Sequence, residues 1–498
     1  MKTFKISISV IVFAILISSC KDWLDVTPPS QIREEDQFNS VEGFQQALIG
    51  CYIAMTDEML YGRALSWSTI ELMAGQFEPL QPSTYGNDYN ISIYNYKSTT
   101  AIKYIDGIWS KGYNVIANVN NALKYIDLNK KMLDNVNYSI IKGELLAIRA
   151  FMHFDLMRLY GYGNIVARTD IAAKVAIPYV TVLGKDMTQQ LSYAQTINLI
   201  IKDLEDAIEL LEIDPVTQNQ PASFYSEINI DGFYNNRQHR FNYYAVNLLL
   251  ARVYMWEGSS ASISKALQLA NLVIANAESR GLVSWATSTS VSEDVIMKSE
   301  HLLSLNIQNL ISKTADYFKL EIVDASDIKA QYVSSDRLLS IYEVTSVGST
   351  DYRFSKQFIQ NSAIVGGKNA YTPLKYFGVA STAVTKNYVP LIRIPEAYYI
   401  AAECYVRQSV PDVQSALDLL NFVRQKRGIV AQLEGLSAEN VMNEIVKEYK
   451  KEFYCEGVMF FLYKRLGIKT IPNYNGEAGD NIYVLPYPDT EIQMGREQ

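Results

Sequence analysis

The chain has 498 residues, of which 48% are hydrophobic and 20% charged, with a formal net charge of −8. That composition supplies a globular core, and its acidic balance argues against nucleic-acid binding through a basic face. Tyrosine is abundant at 35 residues and histidine scarce at 3, which favours polar-tipped aromatic surface and disfavours a histidine-rich metal site.

Lys2 and Lys5 precede an apolar run that ends at residue 17 and is too short to span a bilayer comfortably. Ile17-Ser18-Ser19-Cys20 reads as a bacterial lipobox, with Cys20 the residue that carries the lipid. A plain secretory signal or an uncleaved anchor is the alternative. The division expected is a signal peptide at 1–19, a lipidated tether at 20–37 and one helical domain at 38–498. Cys51, Cys404 and Cys455 are widely spaced without a CxxC pair, so they read as buried free thiols on apolar helical faces.

Asn39 or Ser40 caps the first helix, which buries Val41, Phe44, Leu48, Cys51 and Met55. A short helix follows near 66–73. The stretch 75–100 carries Phe77, Tyr85, Tyr89, Tyr94 and Tyr96 among Gly, Pro, Asn and Ser, and reads as a long surface loop. Helices are expected at 108–127, 138–160 (ending at Gly161) and 191–213 (capped by Ser192), with a loop at 215–240. Two helical hairpins, 241–277 and 393–428, share a pattern. Ala251-x-x-Tyr254 precedes Ala266-Leu267-x-Leu269-x-Asn271, and Ala402-x-x-Tyr405 precedes Ala416-Leu417-x-Leu419-x-Asn421. The pairs read as degenerate tetratricopeptide units. Between them, 281–388 loses the helical period and is expected to be a loop-rich insertion of mixed structure outside the helix array, with strands possible near 302–307 and 363–365. A long helix at 438–466 and an extended tail at 483–488 close the chain.

No HExxH, GxSxG, P-loop or full GxGxxG is present. His153 lies between Phe151 and Phe154 and reads as a core hydrogen-bonder. Most carboxylates have a lysine or arginine nearby, which is a solvated-surface pattern. The sharper signal is aromatic. Sugars present flat apolar faces and hydroxyl edges, and Phe77, Tyr85, Asn87, Asp88 and Tyr89 offer rings and polar groups in one segment, with Trp285 a further candidate. The competing reading is that these rings pin the loop to the scaffold.

Several segments in order resemble the SusD/RagB family of outer-membrane nutrient-binding lipoproteins. They are Cys20-Lys21-Asp22-x-Leu24-Asp25, Gly50-Cys51-Tyr52, Leu159-Tyr160-Gly161, Leu420-Asn421-x-Val423-Arg424, Glu456-Gly457 and Leu485-Pro486-x-Pro488-x-x-Glu491. Met459 and Leu462 depart from it, standing where the family commonly has Arg and Asp. The resemblance implies a mainly α, tetratricopeptide-like helical-repeat scaffold. It also implies a surface lipoprotein of the outer membrane that binds an oligosaccharide or other oligomeric nutrient, such as a peptide, and delivers it to a TonB-dependent transporter of SusC type. No cofactor, metal or catalytic residue is expected. The alternatives are a tetratricopeptide-type envelope scaffold without a small ligand, and a helical-repeat glycosidase.

Overall fold

The computed structural model describes residues 34–82, 88–319, 329–365, 368–377 and 387–498. Cys20 and the segment before it lie outside the described residues, as do Tyr85 and Asn87.

Ten helices of eight residues or more are found among the described residues: α1 (Val41–Met55), α2 (Thr99–Leu128), α3 (Asn135–Tyr160), α4 (Tyr193–Leu210), α5 (Tyr243–Glu257), α6 (Ser260–Asn276), α7 (Ile394–Val406), α8 (Val413–Lys426), α9 (Ala438–Glu452) and α10 (Met459–Leu466). From α1 to α8 each packs on the next, so the chain winds as antiparallel pairs, and α6 meets α7 across the intervening segment. Side-chain caps begin most of them. Ser40 Oγ accepts from Gly43 N at 3.1 Å, and Ser192 forms a reciprocal capping box with Gln195. The expected scaffold of helical pairs is what forms. None of the described helices is long and apolar enough to cross a membrane.

The hairpin pattern holds at alanine and fails at asparagine. Ala251, Ala266, Ala402 and Ala416 are all fully buried, where small side chains let helices approach. Asn421 is buried and pairs both ways with the Leu433 backbone, at 2.9 and 2.8 Å, whereas Asn271 is exposed. The shared asparagine therefore marks no common role.

Strands are few. β1 (His301–Asn306) pairs antiparallel with β5 (Tyr388–Arg393), and β4 (Lys368–Pro373) lies between β2 (Val333–Ser334) and β3 (Phe358–Val365). The expectation that 281–388 stands outside the array is corrected here. β1 packs on α5, its Leu302, Leu303 and Leu305 are buried, and Glu300 and Arg353 enter the interior. A leucine-bearing run without helical period is here a strand facing the core, not surface loop.

The long C-terminal helix is also corrected, because it breaks between Glu452 and Met459. Cys455 and Gly457 have φ of +63° and +71°. A Cβ at Gly457 would stand 2.3 Å from the Leu65 carbonyl oxygen. The buried Glu71 carboxylate accepts from both Cys455 N (3.0 Å) and Gly457 N (2.8 Å), and burial pushes its pKa up to about 8. Cys455 is thus buried in a turn and not on a helix face, while Cys51 and Cys404 are helical; all three are free. Met459 and Leu462 are buried on α10.

The tail threads back to early helices. Leu485 N donates to Leu159 O at 3.1 Å, Tyr96 OH to Ile482 O at 2.8 Å, and Gln498 Nε2 to Tyr160 O at 3.0 Å.

The solvated-carboxylate reading is overturned in the interior. Glu300, Glu448 and Glu452 are fully buried with Arg353, Arg393 and Arg427. Glu452 alone receives Arg353 Nη1 (2.8 Å), Arg393 Nη1 (2.8 Å), and Arg427 Nε and Nη2 (2.9 and 2.8 Å). Glu300 holds the far side of Arg427 at 2.7 and 2.6 Å. Taking charges out of water is costly unless each is paired and hydrogen-bonded, and here each is.

Candidate ligand-binding site

The segment 75–100 divides into anchors and a rim, so its reading as a surface loop is corrected. Phe77 is fully buried, its ring set edge-on to Tyr454 at 5.7 Å and tilted on Phe318 at 6.2 Å. Tyr94 and Tyr96 are buried with their hydroxyls on Met73 O and Ile482 O. Asp88 is buried too, just before a short helix at Tyr89–Ser92. Its Oδ2 accepts from Arg63 Nη1 at 2.9 Å and from Thr69 Oγ1 at 2.8 Å. Phe77 and Asp88 therefore have protein partners where a ligand was expected.

Around the buried Arg63–Asp88 pair stand half-buried phenol rings. Tyr104, in the second turn of α2, and Tyr317, just past a short helix at Leu310–Thr314, are both half-buried. The Arg63 guanidinium carbon lies 4.8 Å from the Tyr104 ring centre and 5.9 Å from that of Tyr317. Tyr89 is half-buried beside Asp88. Below them Trp67 is fully buried, presenting its ring edge-on to Tyr317 at 5.1 Å while its Nε1–H donates to Gly62 O at 3.1 Å. Lys329 stands over Tyr317 at 5.7 Å, and its ammonium is 3.5 Å from Asp316.

Electrostatics hold this arrangement in one protonation state. Burial lowers Arg63, but Asp88, Tyr317 and Tyr104 outweigh it and raise the guanidinium further. Burial, then Asp88, pushes Tyr104 up to about 12 against the pull of Arg63. At neutral pH the site offers neutral phenols and one neutralised cation. Such groups stack on apolar ring faces and exchange hydrogen bonds with hydroxyls. Among the described residues no group of three or more His, Cys, Asp and Glu side chains is placed to hold a metal ion.

Trp285 lies elsewhere. Its half-buried ring is edge-on to Tyr398 on α7 (5.3 Å) and Phe422 on α8 (5.5 Å), with the Arg427 guanidinium 5.3 Å away. It covers the buried ion network. His153 is a core hydrogen-bonder: one ring nitrogen meets Arg149 O and the other accepts from Val180 N, both at 2.9 Å, and burial lowers its pKa to about 3. Sequence reading missed Arg63, Tyr104 and Tyr317. Tyr104 and Tyr317 carry the same ring chemistry as Tyr89, but nothing in sequence spacing brings positions 63, 88, 104 and 317 together.

Comparison with known proteins places this geometry in context. A family model described as starch-binding, associating with outer membrane, matches residues 22–224, and the SusD family model matches residues 216–497. SusD-like protein P2 of Formosa agariphila is 22% identical, with 99% of this chain and 97% of that protein covered. A SusD superfamily crystal structure from Bacteroides vulgatus superposes with a TM-score of 0.71 at 19% identity, covering 92% of this chain and 98% of the other. The surface glycan-binding protein A of Bacteroides thetaiotaomicron, solved with laminarihexaose, gives 0.63 at 17% identity, covering 91% and 98%. With the matching model spanning more than half of the sequence, the chain belongs to the SusD family.

Proposed function

We propose that the protein binds an oligosaccharide at the rim formed by Tyr89, Tyr104 and Tyr317 and passes it on without chemical change. The observation that carries this is the set of half-buried phenol rings around an internally neutralised Arg63–Asp88 pair. Rings of that kind stack on pyranose faces. The glycan-bound relative supports the same substrate class, as does a similar structure at TM-score 0.68 described as a SusD-like carbohydrate-binding protein. Tyr85 and Asn87 border Asp88 in sequence and remain part of the proposed face.

The remainder of the reading concerns place and partner. Cys20 is proposed as the lipidated first residue of the mature chain, after a signal peptide at 1–19 and before a tether to 37. The lipid would hold the domain at the outer membrane, facing the exterior. The transporter that takes the ligand is proposed to be TonB-dependent and of SusC type. A SusD-family helical scaffold supports this, since that family is associated with the outer membrane.

The test is calorimetric titration of the soluble form, lacking residues 1–20, against malto-, laminari- and other neutral oligosaccharide series. Affinity is expected to rise with chain length, because a longer oligomer meets more rings. Binding to none of the series, or turnover of any, overturns the reading. For the anchor, Cys20→Ala is expected to release the protein from membranes, since stable attachment depends on acyl chains; a variant that remains membrane-bound and acylated refutes it.

A further inference from the structure

The sequence contains a single Asn-Gly pair, Asn475-Gly476. It falls in the loop between α10 and the short helix at Asp480–Tyr483. Both ends of that loop are held. Asn473 Nδ2 donates to Phe77 O at 2.6 Å, the Tyr474 ring stands edge-on to Tyr94 at 5.3 Å, and Ala478 N donates to Lys469 O at 2.7 Å. Between these anchors Asn475, Gly476 and Glu477 are exposed and belong to no helix or strand. Among the described residues neither the Asn475 carboxamide nor the Gly476 N–H has a hydrogen-bond partner.

That combination has a chemical consequence. The carboxamide carbon of an asparagine is a weak electrophile, and the nearest nucleophile is the amide nitrogen of the next residue. Attack needs that nitrogen free of hydrogen bonds and of steric cover, on a backbone that can rotate. Glycine meets the last two conditions because it has no Cβ. Other positions fail at least one. Asn137 and Asn421 are buried with their carboxamides bonded within the protein. Of the two Asp-Gly pairs, Asp106-Gly107 is locked in α2, and Gly232 N donates to Asn229 O at 3.2 Å. A carboxylate is also a poorer electrophile than an amide.

We propose that Asn475 is a site of spontaneous deamidation. Gly476 N gives up its proton to base and attacks Asn475 Cγ. The N–Cγ bond forms, the Cγ–Nδ2 bond breaks, and Nδ2 takes up a proton and leaves as ammonia. A five-membered succinimide ring results. Water then opens the ring at either carbonyl. Opening at Cγ leaves isoaspartate or aspartate according to which C–N bond breaks: loss of the bond to Cγ gives aspartate, and loss of the bond to the backbone carbonyl carbon gives isoaspartate. Water is the only co-reactant, and nothing is oxidised or reduced. The product adds a negative charge beside Glu477. In the isoaspartyl form it also adds one methylene to the backbone of a loop that holds Phe77 and Tyr94. The proposal stands independently of the glycan rim.

The test incubates the purified protein in mildly alkaline buffer made with heavy-oxygen water, followed by trypsin digestion in ordinary water. The peptide Thr470–Arg496 is expected to be the first to exchange an amide for an acid, to carry one heavy oxygen, and to split into two chromatographic peaks. Fragmentation should place the change at residue 475, with Asn473 and Asn481 of the same peptide as internal controls. Asn475→Gln should lose the early product, and Gly476→Ala should delay it. Alanine is tolerated there, since Gly476 lies outside the left-handed region and an added Cβ would meet only the Tyr474 side chain, at 3.1 Å. A first change at another asparagine, or an unaltered rate in Gly476→Ala, overturns the proposal. Should that variant fail to fold, the position of the first change in the wild type decides.

Discussion

Two of the arginine–carboxylate clusters among the described residues make a contrast. Under Trp285, Arg353, Arg393 and Arg427 are closed in by Glu300, Glu448 and Glu452, all fully buried. At the rim, Arg63 has one carboxylate, Asp88, and two half-buried phenol rings. The first cluster is saturated and has nothing left to offer a ligand. The second is neutralised but leaves ring surface toward solvent. Charge pairing alone does not mark a binding site; what remains unoccupied after pairing does.

The contrast breaks most sharply at Glu452. Glu452→Ala takes one carboxylate from each of three buried guanidinium groups, and removing one partner of a buried pair costs about 3–5 kcal/mol. Chemical denaturation should show that loss or yield no folded protein; a loss within experimental error would mean that the network is not the lock described here.

Acid sharpens the comparison. Burial by itself would raise Glu448, but Arg353, Lys451 and Arg424 outweigh it and bring its pKa to about 2 from an ordinary 4.5. A carboxylate depressed in the folded state stabilises the fold above its unfolded pKa, and that contribution is lost as pH falls through the folded value. Denaturation midpoints should therefore drop between pH 4.5 and about 2, more steeply in the wild type than in Glu448→Gln. Parallel curves would refute the assignment.

The helix pairs supply a smaller effect. Ala402→Leu or Ala416→Leu places a larger side chain at a fully buried contact, at a cost of about 1–3 kcal/mol. An unchanged melting temperature in both would show that the hairpin has slack.

The open cluster gives the smallest change in stability and the clearest one in binding. Tyr104→Ala with Tyr317→Ala should weaken oligosaccharide affinity about tenfold, or about 1.4 kcal/mol. The melting temperature should fall far less than in Glu452→Ala. Unfolding of the double variant instead would make the rim an extension of the core.

How far the sequence reached follows from the range of each interaction. Ser40, Ser192 and the Gly161 stop are local signals, and the helices they bound stand close to their expected limits. Alanine at Ala251 and Ala402 reported a close approach because small size matters wherever the partner helix lies. The ion network was illegible, since Glu300, Arg353, Arg393, Arg427 and Glu452 each look like an ordinary surface charge until the fold collects them. The proposed rim was illegible in the same manner: residues 75–100 were singled out in sequence, but Arg63, Tyr104 and Tyr317 come from elsewhere in the chain. The break in the last long helix had its signal in Gly457, which was read through because glycine is tolerated within helices; the left-handed turn depends on Leu65 and Glu71, far away in the chain.

The return of the tail to the early helices has a consequence for the order of folding. Glu71 waits for Gly457, Tyr96 for Ile482 and Tyr160 for Gln498, so none of these bonds can exist until the carboxyl-terminal segment is available. Contacts between distant parts of a chain slow folding, because loops must close before they are rewarded. A chain emerging amino end first would hold its middle helices as a partly assembled stack, with the Glu71 carboxylate and the Tyr96 hydroxyl lacking these late partners. Removing the chain from residue 457 onward should then leave a species with much of its helix content and no cooperative transition, so the carboxyl-terminal segment works as a clasp on the early helices.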